Sequence, residues 1–199
     1  MKTITTAATA AFLLATTLAA APAGPVDMLR DSEREIITLL YDTPDAGKSP
    51  VETLRPVVGK YFDTTGMTRR VIGPAWRGYT PAQRERVTAL FTDLVLNSYA
   101  GNFRPGARPA ITYGTVTPTS DNPPRVRAAT VLEYEGKQYN VTYCLEQLPA
   151  GWRVFDIIGE GVSLIGNYQA QFKSLVAKGP DAVIAALAKN AAASKGAAP

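Results

Sequence analysis

Gln138-Tyr139-Asn140-Val141-Thr142-Tyr143-Cys144-Leu145-Glu146-Gln147-Leu148 places an apolar side chain at every second position from Tyr139 to Leu145. Successive side chains of a strand point to opposite faces. Tyr139, Val141, Tyr143 and Leu145 therefore share one face, and Asn140, Thr142, Cys144 and Glu146 the other. A strand with one apolar and one wetter side belongs to a sheet covered on one side only. Upstream, Glu135-Gly136 reads as a tight turn, Arg125 to Tyr134 as the preceding strand and Ile111 to Thr117 as the one before. Downstream, Pro149-Ala150-Gly151 turns the chain into Trp152 to Ile158, a strand apolar on both sides. Simple alternation groups Asp156 with Trp152, Val154 and Ile158, and Phe155 with Ile157.

Helical spacing flanks this sheet. Val26, Leu29, Ile36, Ile37 and Leu40 mark a first helix ending near Tyr41, and Thr43 to Pro50 a loop. Leu54, Val57, Val58, Tyr61 and Phe62 mark a second helix, and Asp63 is placed to cap a third over Thr64 to Ile72. Thr80-Pro81-Ala82-Gln83 combines a capping threonine, proline at the first helical position and glutamine three residues after the cap. Val87, Leu90, Phe91, Leu94 and Val95 follow at helical spacing, with Gly101 as the expected stop. After the sheet, Val162, Ile165, Tyr168, Phe172 and Leu175 read as one helix, and Val183, Ile184 and Leu187 as a last one after Gly179-Pro180. Helices, then strands, then helices predict an α+β domain over residues 24–190, with a mostly antiparallel sheet of about four strands. Ala191 to Pro199 reads as a disordered tail.

The first residues read as a signal peptide. Met1-Lys2 is a short basic start, Ala7 to Ala21 an apolar run, and Ala21-Pro22-Ala23 a small-x-small cleavage pattern, with cleavage expected after Ala23. Export in turn excludes nucleic acid as an expected partner. The formal net charge is +4, with arginines at Arg69, Arg70, Arg77, Arg84, Arg86, Arg125 and Arg127, and composition favours an ordinary solvated surface over a patch that attracts phosphate head groups or an anionic membrane. The one cysteine, Cys144, allows no internal disulfide and fits a small buried hydrophobe. There is no histidine, which excludes His-assisted nucleophiles and the commonest zinc sites.

Candidate chemistry is sparse. Asp156 interrupts an apolar strand, and two readings fit it: a general base of raised pKa, helped by Tyr143, or an anchor for backbone donors. Glu160 reads as helix-start chemistry. No metal-ligand spacing and no phosphate loop appear, so neither metal nor cofactor is expected. Phe91, Leu94, Val95 and Tyr99 lie on a helix that faces the sheet, opposite Tyr139, Val141 and Tyr143. Periodicity alone leaves open whether these side chains fill a core or line a cavity.

Trp152-Arg153-Val154-Phe155-Asp156-Ile157-Ile158-Gly159-Glu160-Gly161-Val162-Ser163-Leu164-Ile165 resembles the signature segment of the MlaC, or toluene-tolerance, family. Further matches keep the family's order: Phe62-Asp63 with Met67, Gly73 and Trp76; Gln83-Arg84 with Phe91, Leu94 and Tyr99-Ala100; Asn167-Tyr168 with Gln171-Phe172. Gln169 departs, standing where arginine is common in relatives. The resemblance covers roughly Val26 to Asn190. It implies a cone similar to nuclear transport factor 2, with a curved sheet and helices around a deep apolar pocket. It also implies a monomeric periplasmic phospholipid carrier rather than an enzyme. Its partners would be an outer-membrane lipoprotein complex and an inner-membrane ABC-type transporter bearing a lipid-binding ring, in service of outer-membrane lipid asymmetry. A neighbouring branch implies hopanoids as the alternative cargo, and similar cones host isomerases and dehydratases, the reading that would use Asp156. On the carrier reading, the expected lipid-binding residues are Met67, Val71, Phe91, Leu94, Val95, Tyr99, Val141, Tyr143, Phe155, Ile157, Val162, Tyr168 and Phe172.

Overall fold

Short turns between alternating strands set the architecture. A computed structural model describes residues 23–100 and 107–196 of the chain. The signal-peptide segment up to residue 22 and the expected helix stop at Gly101 lie outside the described residues. Five strands follow one another in space as in sequence: β1 (Ala110–Asp121), β2 (Pro124–Tyr134), β3 (Lys137–Leu148), β4 (Gly151–Gly159) and β5 (Val162–Ser163). Every neighbouring pair is antiparallel. Glu135-Gly136 and Glu160-Gly161 make two-residue turns in which both residues have positive φ (50° and 73°; 46° and 81°). Such turns match the twist of the strands they join.

The helices are α1 (Pro25–Ile37), α2 (Pro50–Tyr61), α3 (Thr64–Ile72), α4 (Pro81–Ala100), α5 (Leu164–Val176) and α6 (Pro180–Gly196). A π-helical turn, Thr38–Asp42, extends α1, and a 3-10 segment, Gly73–Gly78, joins α3 to the approach of α4. Local chemistry starts these helices where the sequence placed it. Asp63 accepts the Gly66 amide at 2.9 Å. Thr80 and Gln83 exchange reciprocal hydrogen bonds of 3.0 and 3.2 Å ahead of α4. Ser49 and Glu52 do the same for α2.

The two larger buried clusters follow from this packing. Met28, Leu29, Val57 and Tyr61 of α1 and α2 pack on the apolar face of the sheet through Val126, Ala128, Leu145 and Val154. Met67, Val71, Trp76, Val87, Leu90, Phe91, Ile165, Tyr168, Phe172, Val183 and Leu187 join α3 to α6 in a helical lobe beside it. The Asp63 amide donates to the Val154 carbonyl at 2.9 Å, tying the α2–α3 corner to β4.

The α+β class holds, with three differences in detail. The sheet has five strands, since Val162 and Ser163 pair with β4 before α5 begins, where spacing had placed Val162 in a helix. The register of β4 shifts between Cys144 and Leu145: Cys144 faces Asp156, Leu145 faces Val154, and Phe155 is the extra residue. An extra residue reverses the alternation beyond it. Val154 and Ile157 therefore share the apolar face with Leu145 and Tyr143, while Asp156 joins Cys144 on the other. This corrects both the grouping of Asp156 with Trp152 and Val154 and that of Phe155 with Ile157. Finally, α6 is helical through Gly196, into the segment expected to be a disordered tail. Its alanine-rich sequence has high intrinsic helix propensity.

Candidate functional site

Between the apolar face of the sheet and α2, α3 and α4 the molecule is hollow. The cavity has a volume of about 740 Å³. Its lower wall comes from Leu54, Val57, Val58 and Phe62 around α2, Met67 of α3, Phe91, Val95 and Leu96 of α4, and Val141, Tyr143 and Ile157 of the sheet. Val57 and Phe91 are fully buried, so this end is closed. At the other end stand Tyr99, Tyr134, Glu135, Tyr139, Glu160, Val162 and Asn167. Tyr99 (45 %), Tyr139 (37 %) and Val162 (62 %) are open to solvent and mark the mouth. From Tyr139 to Tyr143 the strand descends about 14 Å, at about 3.4 Å per residue.

The closed end is chemically quiet. The Thr92 hydroxyl donates to the Thr88 carbonyl at 2.8 Å, within its own helix. Tyr143 is half-buried at the cavity wall. Burial, and then the nearby Glu33 carboxylate, push its phenol up to about 12. Glu33 itself accepts the Tyr113 hydroxyl at 2.6 Å, and Tyr113 is likewise raised, by burial first and then by that bond. Both phenols are neutral at physiological pH. Among the described residues no group of His, Cys, Asp or Glu has the arrangement to hold a metal ion.

Asp156 is fully engaged elsewhere. Its carboxylate accepts the Ile157 amide at 2.9 Å, the Ile165 amide at 3.0 Å and the Ser163 hydroxyl at 2.6 Å. Ser163 in turn caps α5 by accepting the Gly166 amide at 2.9 Å. The carboxylate thus pins β4, β5 and the first turn of α5 together. Asp156 and Tyr143 are on opposite faces of the sheet, so they do not form the pair an acid–base reading requires. Cys144, beside Asp156, is buried, and burial raises its thiol pKa.

Of the residues expected to bind lipid, Met67, Phe91, Val95, Tyr99, Val141, Tyr143, Ile157 and Val162 line the cavity. Five do not. Val71, Tyr168 and Phe172 are buried in the helical lobe, and Leu94 packs against it. Phe155, displaced by the bulge, lies beneath two guanidinium groups, Arg70 at 4.3 Å and Arg125 at 5.7 Å from its ring centre. Glu160 sits in the β4–β5 turn and accepts the Asn140 amide rather than starting a helix. The arginines do not gather at the mouth. Arg70 and Arg125 converge on buried Glu146 at 2.6 and 2.8 Å, and Arg84 donates to the carbonyls of Trp76 and Arg77.

The sequence reading missed Ile36, Leu54, Val57, Val58, Phe62 and Leu96, which also line the cavity. The helical spacing of all but Leu96 was visible, but spacing is identical for a residue that fills a core and one that lines a hollow. Tyr134 and Glu135 carried no signal beyond the turn they flank.

Comparison with known proteins agrees with this geometry. The family model described as MlaC protein matches residues 34–189. No curated protein matches the chain. Among solved structures, the chain is similar to a phospholipid-binding protein from Ralstonia solanacearum determined in complex with a phospholipid. The TM-score is 0.76 at 21 % identity, over 87 % of this chain and 99 % of that one. That likeness establishes a shared fold, and the family match spans most of the sequence: the chain belongs to the MlaC family.

Proposed function

We propose that this chain is a periplasmic phospholipid carrier and not an enzyme. It would take up lipid at one membrane complex and deliver it to another, between an outer-membrane lipoprotein complex and an inner-membrane transporter, and so maintain outer-membrane lipid asymmetry. The observation that carries the proposal is the cavity of about 740 Å³, apolar at its closed end and ringed by tyrosine and carboxylate at its mouth. That volume lies in the upper part of the range for ligand pockets, about 300–1,000 Å³. Counting a methylene at about the volume of a water molecule, about 30 Å³, it has room for about 25 of them. Each methylene kept from water is worth about 0.8 kcal/mol, so such a hollow offsets most of the cost of taking acyl chains out of a bilayer.

Family membership supports the same reading, as does the phospholipid held by the structurally similar protein. Among the described residues no helix is long and apolar enough to cross a membrane. The test is extraction from vesicles. Protein is titrated into vesicles containing phospholipid with a self-quenching label on its acyl chain. A saturable fluorescence rise with fixed stoichiometry supports a carrier. No rise at any protein concentration overturns it.

A further inference from the structure

This inference rests on the carrier reading and concerns which head groups the mouth accepts. The rim is built by the Glu135-Gly136 and Glu160-Gly161 turns, the end of α4 and the start of α5. It presents three tyrosines, Tyr99, Tyr134 and Tyr139, together with the carboxylates of Glu135 and Glu160. Glu160 is engaged by the Asn140 amide through one oxygen. Among the described residues, the cavity wall includes no lysine or arginine. Lys137, just past the Glu135-Gly136 turn, is exposed and lies outside the wall.

A phosphate at such a mouth would be expected to sit on a helix N-terminus. Here that place is taken: Asp156 accepts the Ile165 amide at 3.0 Å, and Ser163 the Gly166 amide at 2.9 Å. Arg70 and Arg125 are committed to Glu146, outside the cavity wall. Among the described residues, the charged groups of the cavity wall are thus the carboxylates of Glu135 and Glu160, in the same rim as Tyr99, Tyr134 and Tyr139. Tyrosine faces attract an ammonium group, and a negative rim repels a head group of net negative charge.

We infer that the mouth selects phospholipids whose head group carries an ammonium, of the ethanolamine or choline type, over anionic phospholipids with an uncharged polyol. The experiment uses the full mature chain incubated with vesicles of equimolar phosphatidylethanolamine and phosphatidylglycerol. The protein is separated from vesicles and its lipid quantified by mass spectrometry. The expected result is phosphatidylethanolamine enriched about three-fold or more, the size of a single exposed cation–π contact. Glu160→Gln keeps the acceptor for Asn140 and Glu135→Gln changes an exposed turn residue, and each moves the ratio toward that of the vesicle. Bound lipid at the vesicle's own ratio, or enriched in phosphatidylglycerol, overturns the inference and leaves the carrier standing. Protein that takes up neither lipid overturns the carrier reading and this inference with it.

Discussion

Asp156→Ala removes one acceptor from three donors at once: the Ile157 and Ile165 amides and the Ser163 hydroxyl, at 2.9, 3.0 and 2.6 Å. A hydrogen bond to a charged group contributes about 1.5–3 kcal/mol. Asp156 is half-buried, so water recovers part of each bond, and Ser163 retains its bond to Gly166. Taking the low end and discounting for that recovery leaves a loss of about 3 kcal/mol. Asp156→Asn keeps an oxygen for both amides, while the Ser163 hydroxyl turns to accept from the new amide, so the loss is about 1 kcal/mol. The assay is urea unfolding followed by circular dichroism. With a slope of about 2 kcal/mol per molar, the midpoint falls by about 1.5 M for the alanine variant and about 0.5 M for asparagine. A catalytic carboxylate would behave otherwise, because replacing a strained active-site group tends to leave stability unchanged or raise it. A midpoint for Asp156→Ala within about 0.2 M of the parent would refute the anchor and return Asp156 to consideration as an acid or base.

Three further outcomes are expected. Val95→Arg places a cation in the apolar wall, where its side chain extends into the hollow and not into packed core, so the fold survives. Lipid extracted from vesicles falls to less than about a tenth, by the cost of displacing acyl chains with a charge, and unchanged stoichiometry with an intact spectrum would contradict this. Tyr143 has a folded pKa raised from 10.0 to about 12, so the neutral phenol stabilises the fold fully below pH 10 and the contribution is lost as pH rises through 12. Ultraviolet titration of the tyrosines should show a late component that Tyr143→Phe reduces by one phenol while the raised Tyr113 remains, and stability loss between pH 10 and 12 should be shallower in that variant. Glu146→Ala removes the carboxylate shared by Arg70 and Arg125, leaving Arg70 its longer contact with Asp63 at 3.8 Å and Arg125 partly open to water, and should cost about 2 kcal/mol in urea unfolding. A loss no larger than that of a surface glutamate would show that the network contributes nothing.

Much of the fold was legible because its determinants are local. The reciprocal Thr80–Gln83 cap, the Asp63 cap and the period-two alternation from Tyr139 to Leu145 each act within a few residues and appear in the structure as read. The errors lie where a longer-range choice decides. Nothing in Val154-Phe155-Asp156-Ile157 announces a bulge, because any of these residues fits either face until pairing with Cys144 and Leu145 is fixed. The same slip moved Phe155 out of the wall and left Ile157 in it. The cavity was half legible. Phe91, Val95 and Tyr99 of α4 do answer Val141 and Tyr143 across the hollow. Tyr168 and Phe172, equally periodic and aromatic, pack instead edge-on against Phe91 in the solid helical lobe, with ring centres 5.2 and 6.3 Å away. Whether two apolar faces meet or stand apart depends on how far the helices are held from the sheet, and periodicity does not carry that distance. The mouth was read poorly for another reason. Its carboxylates sit on turn residues, where the sequence signals only conformation.

The central claim, that the hollow holds phospholipid, is tested most directly by native mass spectrometry of the protein purified from a Gram-negative periplasm without detergent. The account predicts a mass above that of the bare chain by a fixed increment, which lipid extraction identifies as phospholipid. A hopanoid in its place would keep the carrier and change its cargo. A bare mass that stays bare after incubation with phospholipid vesicles would contradict the account.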